Sequence, residues 1–76
     1  MPKQNFHEEH LKAFAANVRR IRVSNAITQE RFAEIAELNP RTVQKIEAGK
    51  LNILLTTVIR IRAALGCRFE DLMKGL

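Results

Sequence analysis

Arg41, Gln44, Lys45 and Ala48 stand at i, i+3, i+4 and i+7. A helix through them gathers two cations, an amide and a small residue on one face. Guanidinium and ammonium groups reach guanine acceptors and phosphates, and an amide can pair bidentately with adenine. An ordinary solvated helix face has the same composition, so the meaning of the stripe rests on the elements that carry it. The other reactive residue types lead to no comparable chemistry. His7 and His10 flank Glu8-Glu9 three residues apart, which is not the HExxH spacing of zinc proteases, and no third ligand is placed. They read as surface residues of a first helix. Cys67 is the single cysteine, so an intrachain disulfide or a cysteine-based zinc cluster is excluded. It reads as a small hydrophobe. No nucleophile, base and orienting group fall together, so no catalytic site, cofactor or metal is expected.

Two short helices must position the stripe. The first opens at Thr28, whose hydroxyl suits the free N–H groups of a helix start, and runs from Gln29 to about Ala36. Its apolar side is read as Phe32, Ala33, Ile35 and Ala36. The second opens at Asn39 as cap, with Pro40 at the first helical position, where a missing N–H costs nothing. Gly49 closes it, because a helix end asks for a left-handed residue. Val43 and Ile46 are its large apolar residues, opposite the polar stripe. Two such helices joined by a short turn make a helix-turn-helix.

The rest of the chain sets the bounds. Seventy-six residues make one domain, in which folding buries only about 60% of the unfolded surface. With 46% hydrophobic residues, a modest core is feasible and a deep cleft is not. The net charge of +5 and a pI of about 10.2 point to a polyanion or an acidic surface as partner. The N-terminus carries no apolar signal region and no stretch is long enough to span a bilayer. The expectation is a cytoplasmic protein without membrane contact.

In chain order, residues 1–4 are expected as a flexible arm and 5–76 as a single domain. Asn5 and Glu8 suggest a capping box that opens a helix near Phe6. Leu11, Phe14, Val18 and Ile21 make its apolar face, and it should end near Ser24-Asn25. A fourth helix is expected from about Leu54 to Leu65, with Leu55, Val58, Ile61 and Leu65 inward and Gly66 as stop. A fifth runs from Phe69 to about Gly75, with Phe69, Leu72 and Met73 apolar. No period-2 segment suits a strand, so the class is all-α with five helices. Arg22 and Glu47 each lie four residues after a core valine, which brings both charges near apolar faces. A lone buried charge costs several kcal/mol, so the two are expected to pair as guanidinium and carboxylate.

The stretch from Val18 to Leu72 resembles the Xre/Cro-type, lambda-repressor-like helix-turn-helix family. The resemblance rests on Ile21-Arg22, Thr28-Gln29 with Phe32-Ala33, and Leu38 in the turn. It continues through Val43, Ile46-Glu47-Ala48-Gly49 and Asn52 to Ala64-Leu65-Gly66 and Leu72. It is similar to short stand-alone members from bacteria and phages, in particular restriction–modification controller proteins. The resemblance implies a homodimeric transcription regulator, acting as a repressor on a palindromic operator. The helix of about residues 40–48 would lie in the major groove of double-stranded DNA. It implies Arg41, Gln44 and Lys45 at base edges. Thr28, Gln29, Asn39, Thr42, Lys50 and Asn52 would then lie near phosphates. An ion pair matching Arg22 and Glu47 is often structural in that family. Helices 4 and 5 are the expected dimer interface, because Phe69, Leu72, Met73 and Leu76 exceed what one small helix needs for packing.

Several residues depart from the family pattern. Pro40 stands where the family often has a polar base-reader, so one specific contact is either missing or replaced by apolar contact with a thymine methyl. Glu37 occupies a turn position commonly held by Gly, at roughly 1 kcal/mol if left-handed. Arg62 falls where a small core residue is usual, and Leu54 and Arg68 replace the usual caps of helices 4 and 5. The alternative function is an antitoxin or another interaction module of the same fold, with a toxin or RNA polymerase as partner. RNA is disfavoured, since the chain has neither Tyr nor Trp and its four Phe fall mostly on inward faces.

Overall fold

The computed structural model describes the backbone of residues 2–76 and the side chains of residues 7–76. Five helices follow one another: α1 (Pro2–Ser24), α2 (Gln29–Ala36), α3 (Pro40–Glu47), α4 (Leu55–Leu65) and α5 (Phe69–Leu72). No strand occurs among the described residues. α1 opens at Pro2 and not near Phe6. The helix therefore takes in residues 2–4, expected as an arm, and Asn5 becomes a helical position instead of an N-cap. Met1 and the side chains of residues 2–6, Asn5 among them, lie outside the described residues. At 1.5 Å per residue a 23-residue helix is about 34 Å long, which accounts for the 37 Å long axis of the molecule.

The helix ends follow local chemistry. Thr28 accepts from the Arg31 N–H at 3.0 Å and Asn39 from the Arg41 N–H at 2.8 Å. Glu37 is left-handed at φ 59°, as the turn between α2 and α3 requires. The Leu38 N–H reaches back to the Ala33 carbonyl at 2.8 Å, a Schellman closure. Gly49, at φ 71°, closes α3 in the same way, with the Lys50 N–H on the Lys45 carbonyl. Leu54 supplies no side-chain cap to α4. At Arg68 the backbone N–H donates to the Asp71 carboxylate at 3.0 Å, so the cap of α5 comes from Asp71.

The core forms where the apolar faces meet: Phe14 and Val18 of α1, Phe32, Ala33 and Ala36 of α2, Val43 and Ile46 of α3. Val58, Ile61 and Leu65 of α4 and Leu72 of α5 complete it. α2 packs against both α3 and α4, while α1 runs beneath α3, α4 and α5. Three expected side-chain directions are corrected. Ile35 is 42% exposed, because at 100° per residue it points roughly 110° away from Phe32, Ala33 and Ala36. Leu55 is 72% exposed, standing about 90° from the mean direction of Val58, Ile61 and Leu65. Leu72, expected at a dimer interface, is fully buried in the monomer core. α5 also stops at Leu72, short of Gly75.

Asn17 is the buried polar side chain of the core and had no signal in the sequence beyond its position on α1. Its amide donates to the carbonyls of Leu72 at 2.7 Å and Lys74 at 2.8 Å, and its oxygen accepts from Arg20 at 3.0 Å. These bonds satisfy the last carbonyls of a helix too short to hold itself. Asn25 does the same for α4, donating to the Leu65 carbonyl at 2.9 Å. Arg62, at a position where a small core residue is usual, is half-buried. It donates to the Cys67 carbonyl at 3.3 Å and lies over the Phe69 ring at 5.1 Å, with its Nε buried and unpaired. Burial pushes the Cys67 thiol up, and the Asp71 carboxylate adds to the shift.

Candidate nucleic-acid interface

A buried ionic lock joins α1 to α3. Arg22 Nε donates to Glu47 Oε2 at 2.6 Å and Nη2 to Oε1 at 3.1 Å, a bidentate fork between α1 and α3. The third guanidinium nitrogen, Nη1, donates to the Ile27 carbonyl at 2.8 Å, so the loop before α2 is tied in as well. Gln29 Nε2 adds a third bond to Glu47, at 3.0 Å from Oε1. The two charged side chains are only 11% and 4% exposed. An ion pair at that depth holds only when its hydrogen bonds are complete, and here they are. The lock sets the angle at which α3 leaves the body of the domain.

With α3 so held, Val43 and Ile46 are buried and the opposite face is open. Pro40, Arg41, Gln44, Lys45 and Ala48 are all exposed. No side-chain hydrogen bond or ion pair among the described residues engages Arg41, Gln44 or Lys45. Ungrouped cations and an amide on a rigid helix are the donors that a groove of base edges takes up. Thr28, Asn39 and Lys50 are exposed around them, and Gln29 and Thr42 are half-buried. Asn52 stands apart, beside His10 and Leu11 of α1.

Arg19 adjoins the same surface. It is exposed, one turn before Arg22, and it lines a polar recess with Thr28, Gln29, Gln44 and Ala48. The i, i+3 spacing to Arg22 was the available signal, since residues three apart share a helix face. Gln29 serves two surfaces. One amide hydrogen is on Glu47, and an amide carries a second donor. Gly49 brings α1 and α3 close: a Cβ there would lie 3.2 Å from the Lys12 Cα. No three metal-ligating side chains converge among the described residues. No helix among them is long and apolar enough to cross a membrane.

Known structures share this fold. The restriction-modification controller protein C.AhdI from Aeromonas hydrophila is 26% identical, with a TM-score of 0.83 over 87% of this chain and 96% of that one. A hypothetical transcription factor, NHTF, from Neisseria is 28% identical, with a TM-score of 0.81 over 88% of this chain and 77% of that one. An HTH_3 family transcriptional regulator from Vibrio cholerae, 17% identical, shares the fold alone. Its TM-score is 0.82, over 87% of this chain and 37% of that one. No curated protein sequence matches. The HTH_3 helix-turn-helix profile matches residues 18–72, the span that holds the lock, the open face of α3 and both flanking helices. The chain belongs to the HTH_3 helix-turn-helix family.

Proposed function

We propose that the chain is a sequence-specific transcriptional regulator of the cytoplasm that binds a palindromic operator as a homodimer. Residues 40–48 would lie in the major groove, and occupancy would repress the promoter, that of its own gene included. Membership in the HTH_3 family supports a DNA-binding transcriptional regulator. The observation that carries the finer reading is the open stripe of Arg41, Gln44 and Lys45, presented by a helix that the Arg22–Glu47 pair fixes in place. In this reading the stripe meets base edges, and Pro40 meets a thymine methyl. Thr28, Gln29, Asn39, Thr42 and Lys50 meet phosphates, with Arg19 joining them, while Asn52 lies apart beside α1. The net charge of +5 favours that approach.

A single module of this kind buries only about 600–1,000 Å² on DNA, so discrimination calls for two copies on two half-sites. Phe69, Met73 and Leu76 are 40–45% exposed and available to such a pair. The test is a footprint of the purified protein on the DNA upstream of its own gene, at two salt concentrations. Two protected half-sites about one helical turn apart, surviving the higher salt, are expected. Diffuse protection that vanishes with salt would reduce the proposal to non-specific binding.

A further inference from the structure

A face of α1 outside the core carries a stripe of its own. Lys12, Ala16, Arg19 and Val23 stand at i, i+4, i+7 and i+11, so cation and apolar residue alternate along one line of the helix. With Ala15 and Arg20 of α1, and Ala48 just past α3, they line an open groove of about 820 Å³. Its floor is apolar and shallow, because Ala15, Ala16 and Ala48 bring no long side chain and Val23 is 55% exposed. Its rim holds Lys12, Arg19 and Arg20, all exposed. Lys12 lies at one end, where Gly49 lets the backbones approach. No side-chain hydrogen bond or ion pair among the described residues engages Lys12 or Arg19, and Arg20 donates only to the Asn17 oxygen. Glu47 also borders the groove, but its carboxylate is already held by Arg22 and Gln29. The HTH_3 match begins at residue 18, so the half of the groove from Lys12 to Ala16 lies outside the family profile.

We infer that this groove docks an acidic amphipathic helix of a partner protein, and that this helix and DNA exclude one another. The apolar stripe of the partner helix lies on Ala16 and Val23, and its carboxylates meet Lys12, Arg19 and Arg20. From Lys12 to Val23 the groove runs about 16 Å, or about three turns of helix. Small side chains on its floor let a second helix axis come close. No strand occurs among the described residues, so there is no sheet edge to lend, and helix-in-groove is the mode of peptide recognition open to this fold.

Charge selects the occupant. Cations that no acid answers favour an anionic partner, and a second copy would bring +5 of its own. A phosphate backbone is anionic too, yet it has nothing apolar to set on Ala16 and Val23. Arg19, Glu47 and Ala48 line both this groove and the polar recess beside Gln29 and Gln44. A helix seated on Arg19 therefore takes a cation that phosphate would otherwise meet. The exclusion rests on the DNA binding proposed above, whereas the docking does not.

The test is fluorescence anisotropy with a labelled helical peptide of about twelve residues, a leucine and alanine stripe flanked by glutamates, against a scrambled peptide of the same composition. The wild type is expected to bind the amphipathic peptide roughly tenfold or more tighter than the scrambled one. Val23→Ser and Lys12→Glu should each weaken that binding roughly tenfold, and circular dichroism melts check that both stay folded. Equal affinity for the two peptides, or variants that bind as the wild type does, would overturn the inference. The unlabelled peptide is then added to the protein on a short DNA duplex. It should release the duplex from the wild type but not from Val23→Ser, which keeps its own grip on DNA. Peptide and duplex bound together would overturn the exclusion. A wild type that holds no duplex would count against DNA binding, and the peptide titration would still decide the groove.

Discussion

The Asn17 amide and the Leu72 carbonyl are joined by a buried 2.7 Å hydrogen bond across 55 residues of sequence. It fastens the last helix of the chain to the middle of the first. The neighbouring bond to Lys74 makes Asn17 a cap for α5 supplied by α1. Replacing Asn17 with Ala strands two carbonyls and leaves a void, so a loss of about 2–4 kcal/mol is expected. Urea denaturation of Asn17→Ala should show a lower midpoint with an unchanged slope. Asn17→Asp should be worse at neutral pH, because a carboxylate would face those carbonyls. Its folded-state pKa would be raised, so its stability should recover as pH falls below that value and decline as pH rises through it.

The Arg22–Glu47 lock should behave as a unit. Removing either partner leaves a charge uncompensated beside the core, at about 3–5 kcal/mol. The double variant Arg22→Met/Glu47→Leu should be less destabilised than the sum of the single changes, with coupling well above 1 kcal/mol in a double-mutant cycle. Coupling near zero would mean that both side chains find water instead.

Three helix ends share a left-handed backbone and differ in the residue and space they offer. Glu37 is left-handed and exposed, so Glu37→Gly should stabilise by about 0.5–1 kcal/mol. Gly66 is left-handed with open space around it, and Gly66→Ala should cost about 1–2 kcal/mol. Gly49→Ala should cost more than Gly66→Ala, because strain at φ 71° is joined by contact with the Lys12 backbone. Thermal melts of the three variants give the order directly.

On DNA, the residues should divide by what they touch. Arg41→Ala or Lys45→Ala is expected to cost about 1–3 kcal/mol on the specific site and to relax preference at particular base pairs. Arg19→Ala and Gln29→Ala should weaken all duplexes about equally. Arg19→Ala should also reduce the slope of log K against log salt by about 1. Competition binding with specific and random duplexes distinguishes the two groups. If Arg41→Ala weakened both alike, its role in base readout would be wrong.

Most of this architecture is legible in the chain, because helix boundaries are local events. Thr28, Asn39-Pro40, Gly49 and Gly66 each act within two to five residues, and their signals fall where the helices begin and end. The exceptions are α1, where a capping signal at Asn5 did not stop the helix from starting at Pro2, and α5, which stops at Leu72 short of Gly75. The Arg22–Glu47 contact is legible for another reason: a charge on an apolar face needs an opposite charge, and few candidates exist in a chain of this size.

Composition and spacing determined the class, the two-helix motif and the open basic stripe of α3. Packing decided the rest. Ile35 and Leu55 stand off the buried faces of their own helices by periodicity, whereas Leu72 is buried because α5 folds back onto α1. Asn17 is an unremarkable polar residue until α5 folds back onto α1 and presents its carbonyls. Arg19 joins the polar recess beside α3 only when α2 brings Thr28 and Gln29 alongside it. Periodicity tells which residues of one helix share a side, and the partner that covers the side is a property of the assembled fold.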